Sequence, residues 1–393
     1  METRKLYYED SHLREFTAEV LSCTEAAGGF EIILSATAFY PEGGGQACDL
    51  GTLGGAKVLD VRERGEAVIH LCDAAVEVGT QVRGLLDWQR RFDLMQQHSG
   101  EHMVSGVIHR RYGYHNVGFH MGSDVITIDF DGVIPPEDLP SIEAEVNAGI
   151  WADLSLRCWY PEPEVLPTVG YRTKRELPWP VRIVEIPGFD KCACCGTHVQ
   201  RTGEIGLVKL FSSIGCRGGS RMEMACGGRA VRLLTHAYDQ NRQVSQAFSA
   251  QITETGSAAR RMNETLEQEK LRYAALQKKL FGFIAESFEN FGDVLYFEEA
   301  LDSVQIRMLA DAIADWCVGR AAVFSGTEEE GYAYALVTRE GDLRGFGKAM
   351  TAALNGRGGG KPNFQQGRVM ARREEIVEFF TRDRDEKFKL GTL

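Results

Sequence analysis

Two pairs of potential metal ligands indicate what chemistry this sequence could carry out. His98 and His102 stand four residues apart, a spacing that places both imidazoles on one face of a helix. Cys194 and His198 repeat the same spacing further along the chain. Together the two pairs offer three nitrogens and one thiolate, a donor set that suits zinc in tetrahedral coordination. The sequence therefore predicts one zinc ion per chain, bound by His98, His102, Cys194 and His198.

The neighbouring cysteines leave open which thiolate binds the metal. Cys192 lies two residues before Cys194, and Cys195 follows it directly. Ten cysteines in 393 residues are few for a disulfide scaffold, and three of them in one short segment are typical of metal chemistry in a reducing compartment. The N-terminal segment is charged and has no apolar targeting core. We therefore expect a cytoplasmic protein.

Glu101 lies inside the histidine motif and is a candidate general base. Its position one residue before His102 also fits a glutamate that points away from the metal, into solvent. A third interpretation is the inverted zinc-peptidase motif His-x-x-Glu-His, with Glu101 as the base and a downstream carboxylate as third ligand. That interpretation leaves Cys194 and His198 without a role.

Two glycine-rich segments are candidates for close contact with a substrate, because glycine permits backbone conformations and approaches that a Cβ would block. The first, residues 37–51, contains three successive glycines followed by Gln46. The second, residues 356–368, combines a glycine run with Arg357, Lys361 and Arg368, which could hold phosphate. It lacks the Gly-Lys-Ser/Thr ending of a nucleotide-binding loop, so nucleoside triphosphate hydrolysis is not predicted. For each segment the alternative is a plain surface loop.

Composition limits the classes of function. Hydrophobic residues make up 44% of the chain and charged residues 25%, as in ordinary globular proteins. The formal net charge of -12 excludes binding to nucleic acid through overall positive charge. Any contact with nucleic acid must therefore use a local basic surface.

The periodicity of apolar residues predicts an α+β protein of four parts. Residues 1–90 read as short strands separated by glycines, and residues 91–235 as a mixed segment with a helix at about 93–111 that Gly113 ends. Residues 236–282 read as a helical linker that Gly256 divides, and residues 283–393 as an α/β domain.

Four motifs follow one another along the chain: Phe39-Tyr40-Pro41-Glu42-Gly43-Gly44-Gly45-Gln46, His98-x-x-x-His102, Cys194-x-x-x-His198 and Gly358-Gly359-Gly360-Lys361-Pro362. This order resembles that found in alanyl-tRNA synthetase downstream of its aminoacylation domain. The chain resembles a freestanding alanyl-tRNA editing protein of the long form. The resemblance implies a β-barrel-like first domain, a zinc-bearing editing core, a helical linker and a tail like that of the synthetase, without an aminoacylation module.

The resemblance also implies a substrate and a partner. The implied reaction is hydrolysis of the ester in seryl- or glycyl-tRNA(Ala), with a homodimer possible through the linker or the tail. His120 falls near a pocket glutamine of the synthetase, so the residue that recognises the amino acid stays open. The catalytic candidates are Glu101 and His120. Candidates for substrate contact are Thr37, Gly43, Gly44, Gly45, Gln46, Gly358, Gly359, Gly360 and Lys361, with Thr37, Gln46 and His120 as possible readers of a serine hydroxyl.

A competing function remains, because closed four-ligand zinc sites are usually structural. A non-catalytic tRNA-binding protein with a structural zinc would carry the same motifs. A deacylation assay with seryl-tRNA separates the two functions.

Overall fold

The computed structural model describes residues 2–173, 180–382 and 389–392. The chain divides into two compact units, Met1–Val244 and Ser245–Leu393. Each unit combines helices with sheets, which confirms the predicted α+β class. The finer division into four domains stays a prediction.

A closed barrel forms the first part of the N-terminal unit. The elements there are β1 (Arg4–Lys5), α1 (Leu6–Glu9), β2 (Glu15–Ala26), β3 (Gly29–Leu34), β4 (Ala36–Thr37), β5 (Gly51–Leu53), β6 (Ala56–Arg64), β7 (Ala67–Cys72) and β8 (Gln81–Leu86). Six of these strands close in the order β2-β3-β7-β6-β5-β8. Alternate residues of β8 are buried, as expected for a strand with one face on a core.

The histidine motif lies in the middle of a long helix, α2 (Trp88–Tyr112). The side chain of Asp87 caps its first turn by accepting a hydrogen bond from the amide of Arg90. Gly113 ends the helix in the left-handed conformation that glycine adopts without strain, as predicted. The helix starts five residues before the predicted boundary. The cap formed by Asp87 fixes the first helical turn, and the periodic apolar residues that predict the helix begin only after that turn. Both motif histidines are buried.

Two sheets and a helix pack around α2. The elements are β9 (Asn116–Met121), β10 (Ile126–Phe130), α3 (Leu139–Trp151), β11 (Arg157–Trp159), β12 (Ile183–Ile186), β13 (Asp190–Ala193), β14 (Val208–Cys216) and β15 (Gly219–Cys226), with short 3-10 turns at Pro136–Asp138, Leu166–Thr168 and Thr202–Ile205. One sheet has the order β14-β15-β10-β9 and the other β11-β12-β13. Cys192 lies in β13, and Cys194 and Cys195 follow this strand, so the second sheet delivers the cysteines to the face of α2.

A buried ion pair joins the barrel segment to α2. Arg91 and Asp49 are both fully buried, and Nε of Arg91 lies 3.0 Å from each carboxylate oxygen of Asp49. Asp49 also accepts a hydrogen bond of 2.6 Å from the amide of Tyr40. The pair therefore fixes the first glycine segment relative to the histidine helix.

The predicted linker is two helices, α4 (Gly227–Ala247) and α5 (Thr255–Glu286). The break falls at a short 3-10 turn, Ile252–Glu254, rather than at Gly256, which lies in the first turn of α5. Gly256 therefore does not divide the helix as predicted. No helix within the described ranges is both long and apolar enough to cross a membrane.

The C-terminal unit is built on one six-stranded sheet. Its elements are β16 (Val294–Phe297), α6 (Ser303–Ala314), β17 (Arg320–Thr327), β18 (Gly331–Thr338), α7 (Arg344–Ala353), β19 (Gly356–Lys361), β20 (Phe364–Val369), α8 (Arg373–Thr381) and β21 (Lys389–Thr392). The order is β19-β20-β18-β17-β16-β21, with β16 parallel to both of its neighbours. The second glycine segment therefore begins in a strand at the sheet edge, although its composition favours a loop.

Candidate functional site

The four predicted metal ligands come together in the N-terminal unit. The ligand atoms of His98, His102, Cys194 and His198 all lie within 4.8 Å of one another. Sγ of Cys194 is 3.4 Å from Nε2 of His98 and 3.5 Å from Nε2 of His198. All three histidines are buried. This cluster could hold a metal ion.

Each histidine of the cluster has a polar partner at its other ring nitrogen. Nδ1 of His98 lies 3.0 Å from Oε1 of Gln46, Nδ1 of His102 lies 2.9 Å from Asp190, and Nδ1 of His198 lies 3.1 Å from the hydroxyl of Ser99. Such partners orient metal-binding imidazoles and leave Nε2 for the ion.

The Gln46 contacts assign the tautomer of His98. Oε1 of Gln46 accepts a hydrogen bond from the amide of Thr197, and Nε2 of Gln46 donates to the Thr197 hydroxyl. The atom that faces His98 is therefore an acceptor, so Nδ1 carries the proton and Nε2 presents its lone pair to the cluster. The donor set thus fits a metal ion in chemistry as well as in position.

The electrostatics agree with a thiolate among imidazoles. Burial raises the pKa of Cys194, but the surrounding imidazoles of His98, His102 and His198 outweigh burial and hold this pKa well below its usual value. Burial is also the main reason that the pKa of His198 is lowered to about 3. These pKa shifts favour the thiolate of Cys194 and the neutral ring of His198, the forms in which these side chains bind metals.

The sequence leaves two other cysteines open as ligands. Cys195 is exposed, while Cys192 is buried in a second group with His102 and Asp190 whose ligand atoms also lie within 4.8 Å of one another. Asp190 is already engaged there, because Arg172 donates two hydrogen bonds to it at 2.7 and 2.9 Å. The geometry thus favours Cys194 as the thiolate ligand.

A cavity of about 460 Å³ opens beside the cluster. Its wall includes His98 and His102, the first glycine segment at Gly44 and Gly45, and Phe119 of β9. Gly45 has a φ of +88°, and a Cβ there would lie 2.6 Å from Cδ1 of Phe119. Glycine is therefore required at this position for the turn to approach β9 and close the cavity.

Glu101 faces this cavity together with a residue that no sequence motif marks, Asn116. Oε1 of Glu101 accepts hydrogen bonds from the Ser105 hydroxyl at 2.6 Å and from Nδ2 of Asn116 at 2.5 Å. Oε2 of Glu101 lies 4.0 Å from Nε2 of His102. The carboxylate is thus turned toward the cluster and not into solvent. The one signal in the sequence for Asn116 is its place shortly after Gly113, which ends the histidine helix.

Three other predicted site residues have different surroundings. Thr37 is fully buried, and its hydroxyl lies 2.8 Å from Nε2 of His70. His120 is exposed and borders a separate surface depression with residues 42–47. Gln46 is buried, with its amide engaged by His98 and Thr197. None of these three is among the described residues that line the cavity.

The late glycine segment lies in the other unit. Gly358, Gly359, Gly360 and Lys361 belong to the edge strand β19, paired with β20 on one side only. A Cβ at Gly358 would collide with the hydroxyl of Tyr334. Close packing against Tyr334, and not a phosphate-binding turn, therefore explains why residue 358 is a glycine. Lys361 is exposed.

Models of two aminoacyl-tRNA synthetase families match parts of the chain. Threonyl and alanyl tRNA synthetase second additional domain matches residues 181–226, which include Cys194 and His198. The class II (A) tRNA synthetase family matches residues 3–90, which include the barrel. The chain thus contains segments related to class II synthetases.

Relatives with similarity along nearly the whole chain give a closer classification. Alanyl-tRNA editing protein Aarsd1 of Danio rerio is 26% identical and covers 97% of this chain and 98% of its own length. The protein of the same name from Mus musculus is 27% identical over 94% of this chain and 95% of its own. Alanine–tRNA ligase of Thermofilum pendens is 31% identical over 93% of this chain, which spans 42% of that ligase. The chain is a homologue of alanyl-tRNA editing proteins, which confirms the resemblance predicted from the motifs.

Among solved structures, the C-Ala domain of Aquifex aeolicus alanyl-tRNA synthetase matches with 21% identity and a TM-score of 0.20, covering 23% of this chain and 92% of that domain.

Proposed function

We propose that this chain is an aminoacyl-tRNA hydrolase of the cytoplasm that removes serine or glycine from mischarged tRNA(Ala). The name of its relatives, alanyl-tRNA editing protein, supports a role in alanyl-tRNA editing. The observation that supports the chemistry is the position of Glu101, a carboxylate in the wall of a cavity with Oε2 4.0 Å from a ring nitrogen of the ligand cluster. The cavity volume of about 460 Å³ is in the range of sites for small ligands.

Zinc is the metal that we propose for the cluster. His98, His102, Cys194 and His198 would hold it, because three oriented imidazoles and one thiolate match its preferred ligands. When bound, zinc would supply positive charge that positions or polarises the ester and the attacking water.

Glu101 is the general base in this proposal. It takes a proton from water while the water oxygen bonds to the carbonyl carbon of the aminoacyl ester. The bond between that carbon and the ribose oxygen then breaks, and the ribose oxygen takes up a proton. The products are the free amino acid and uncharged tRNA. Ser105 and Asn116 hold Oε1, so that Oε2 is the oxygen available to the water.

The test is deacylation of seryl-, glycyl- and alanyl-tRNA(Ala) by the zinc-loaded protein. Glu101→Gln keeps the shape of the side chain and removes the base, so we expect the rate to fall about 10²- to 10⁴-fold with zinc content unchanged. Glu164→Gln, at an exposed position, is the matched control. A protein that binds tRNA but hydrolyses none of the three esters would instead be a tRNA-binding protein with a structural zinc.

We also propose that the chain forms a homodimer through the linker helices or the tail. Helix α5 leaves Leu271, Leu276 and Phe283 exposed, which supports an apolar contact. Sedimentation velocity at micromolar concentration tests this, and a monomer there would count against it.

A further inference from the structure

We propose that Asn116 is the residue that reads the serine hydroxyl of the substrate. The proposal rests on the proposed function and concerns its selectivity. Asn116 begins β9, is 4% exposed, and lines the cavity next to the ligand cluster. Its backbone position is fixed by pairing with Phe130 of β10.

The orientation of the Asn116 amide follows from its neighbour. Nδ2 lies 2.5 Å from Oε1 of Glu101. A carboxylate accepts hydrogen bonds and does not donate them, so the amide nitrogen must face Glu101 and the amide oxygen must point elsewhere.

The amide oxygen of Asn116 is left without a partner. Among the described residues, only three buried side-chain polar atoms have no hydrogen bond: the hydroxyl of Tyr7, Oδ1 of Asn116 and Nε1 of Trp159. Asn116 alone of these three lines the cavity. Buried acceptors in folded proteins are nearly always paired, so an unpaired one in the wall of a binding site indicates a donor on the ligand.

The substrate group that donates a hydrogen bond to Oδ1 of Asn116 is a hydroxyl and not an ammonium, for a physical reason. A substrate that carries serine offers two donors near the ester, the side-chain hydroxyl and the α-ammonium. Desolvating a charged ammonium against a neutral amide oxygen is much less favourable than pairing a neutral hydroxyl with it. Alanine has no donor at the side chain, so it would leave Oδ1 buried and unpaired. Sites of this kind discriminate strongly against the analogue that lacks the hydroxyl.

The inference also separates serine from glycine. Glycine, like alanine, leaves Oδ1 without a partner. Seryl-tRNA(Ala) should therefore be the preferred substrate, with both glycyl- and alanyl-tRNA(Ala) hydrolysed less efficiently.

Three variants separate the role of the amide oxygen of Asn116 from the role of its amide nitrogen. Asn116→Leu has a similar shape and removes both polar atoms. Asn116→Asp keeps an acceptor in place of Oδ1 but loses the donor to Glu101. Ser105→Ala removes the other donor to Glu101 and leaves Asn116 intact. Zinc content and thermal unfolding of each protein establish that it is folded.

The measurement is kcat/KM for seryl-, glycyl- and alanyl-tRNA(Ala). We expect Asn116→Leu to lower the seryl-to-alanyl ratio about 10- to 100-fold. Asn116→Asp and Ser105→Ala should lower all three rates by a common factor and leave the ratio within about twofold, because both keep the acceptor. An unchanged ratio in Asn116→Leu, or a ratio that falls equally in Ser105→Ala, would overturn the inference.

A binding assay distinguishes failure of this inference from failure of the proposed hydrolysis. Adenosine carrying serine or alanine through a 3′-amide cannot be hydrolysed at the ester position. The wild-type protein should bind the seryl amide at least about tenfold more tightly, and Asn116→Leu should remove that preference. This result would support the inference even if no ester were hydrolysed. Equal affinity for the two amides, or binding of neither, would contradict it.

Discussion

At the scale of single residues, the ligand cluster depends on three different hydrogen-bond partners. An amide orients His98, a carboxylate orients His102 and a hydroxyl orients His198. Burial lowers the pKa of His102, yet the hydrogen bond to Asp190 and the Cys194 thiolate raise it well above its usual value. Asp190 and Cys194 therefore both stabilise positive charge at His102, and a cation at the cluster would replace the proton that this site otherwise attracts.

The first prediction concerns metal content. The purified protein should carry about one zinc ion per chain, as expected for one four-ligand site. The double variant His98→Ala, His102→Ala removes two of the four ligands, so it should lose both the zinc and the ester hydrolysis.

Atomic absorption and the deacylation assay measure these two effects. His115→Ala is the matched control, because His115 is exposed and lies between the end of α2 and the start of β9. Full zinc occupancy in the double variant would show that the metal binds elsewhere.

At the scale of elements, the Arg91–Asp49 pair determines how the barrel meets α2. Arg91→Met leaves Asp49 buried without its counter-charge, so we expect the free energy of unfolding of the N-terminal unit to fall by about 3–5 kcal/mol. The double variant Arg91→Met, Asp49→Asn should recover much of that stability, because no unpaired charge remains.

Urea unfolding of the full chain measures these differences. Arg83 and Glu15 form an ion pair in the same barrel that is largely exposed, so Arg83→Met should change stability by less than about 1 kcal/mol. An Arg91→Met effect as small as that of Arg83→Met would contradict the proposed role of the buried pair.

The barrel also contains a group that makes stability depend on pH. His70 is fully buried on β7, where Nδ1 lies 3.1 Å from the carbonyl of Ile32, and burial lowers its pKa to about 4. The unfolded chain takes up this proton near pH 6.5, well before the folded chain does. The stabilisation is therefore complete above about pH 6.5 and is lost as the pH falls toward 4, by about 3 kcal/mol in total.

Titration of the imidazole by NMR tests this prediction directly. We expect a midpoint near 4 for His70, whereas a midpoint near 6.5 would show that the ring is not desolvated. His70→Gln cannot take up the proton, so its stability should decrease less than that of the wild type as the pH falls through this range.

Local spacing explains which elements and residues could be predicted from the sequence. The histidine pair and the Gly113 helix end depend only on helix geometry, and both occur as expected. Asn116 and Asp190 reach the site through tertiary packing, for which the sequence has no local pattern. The contact of Ser99 with His198 is likewise tertiary, although α2 itself places Ser99 beside His98. Thr37 shows a related limit of prediction from sequence. Alternation of side chains along a strand predicts two faces, but it does not predict which face meets a cavity. A glycine run likewise fits both a turn and a close-packed edge strand, and β19 is the strand.

At the scale of the whole molecule, the ligand cluster and the most basic segment of the chain lie in different units. The ligand cluster and its cavity belong to the N-terminal unit. Residues 343–373 of the C-terminal unit contain seven lysines and arginines and no acidic residue, in a chain of net charge -12. Within the described ranges no ion pair involves Arg357, Lys361 or Arg368 of the strands β19 and β20. Phosphate binding should therefore concentrate there.

The last prediction is that tRNA affinity and ester hydrolysis can be separated. A chain that ends at Val244 keeps every residue of the cluster and the cavity, so its zinc content and its hydrolysis at saturating substrate should persist. Its affinity for tRNA should fall and depend less on salt, because fewer phosphates are neutralised. In the full chain, the triple variant Arg357→Ala, Lys361→Ala, Arg368→Ala should lower the slope of log affinity against log salt by about 2 to 3, roughly one for each phosphate that these cations neutralise.

The triple variant Arg260→Ala, Arg261→Ala, Arg272→Ala on α5 removes the same charge elsewhere in that unit and is the control. Unchanged affinity in both the truncated chain and the β19–β20 variant would show that the N-terminal unit binds tRNA alone, and self-association would then be the better explanation of the C-terminal unit.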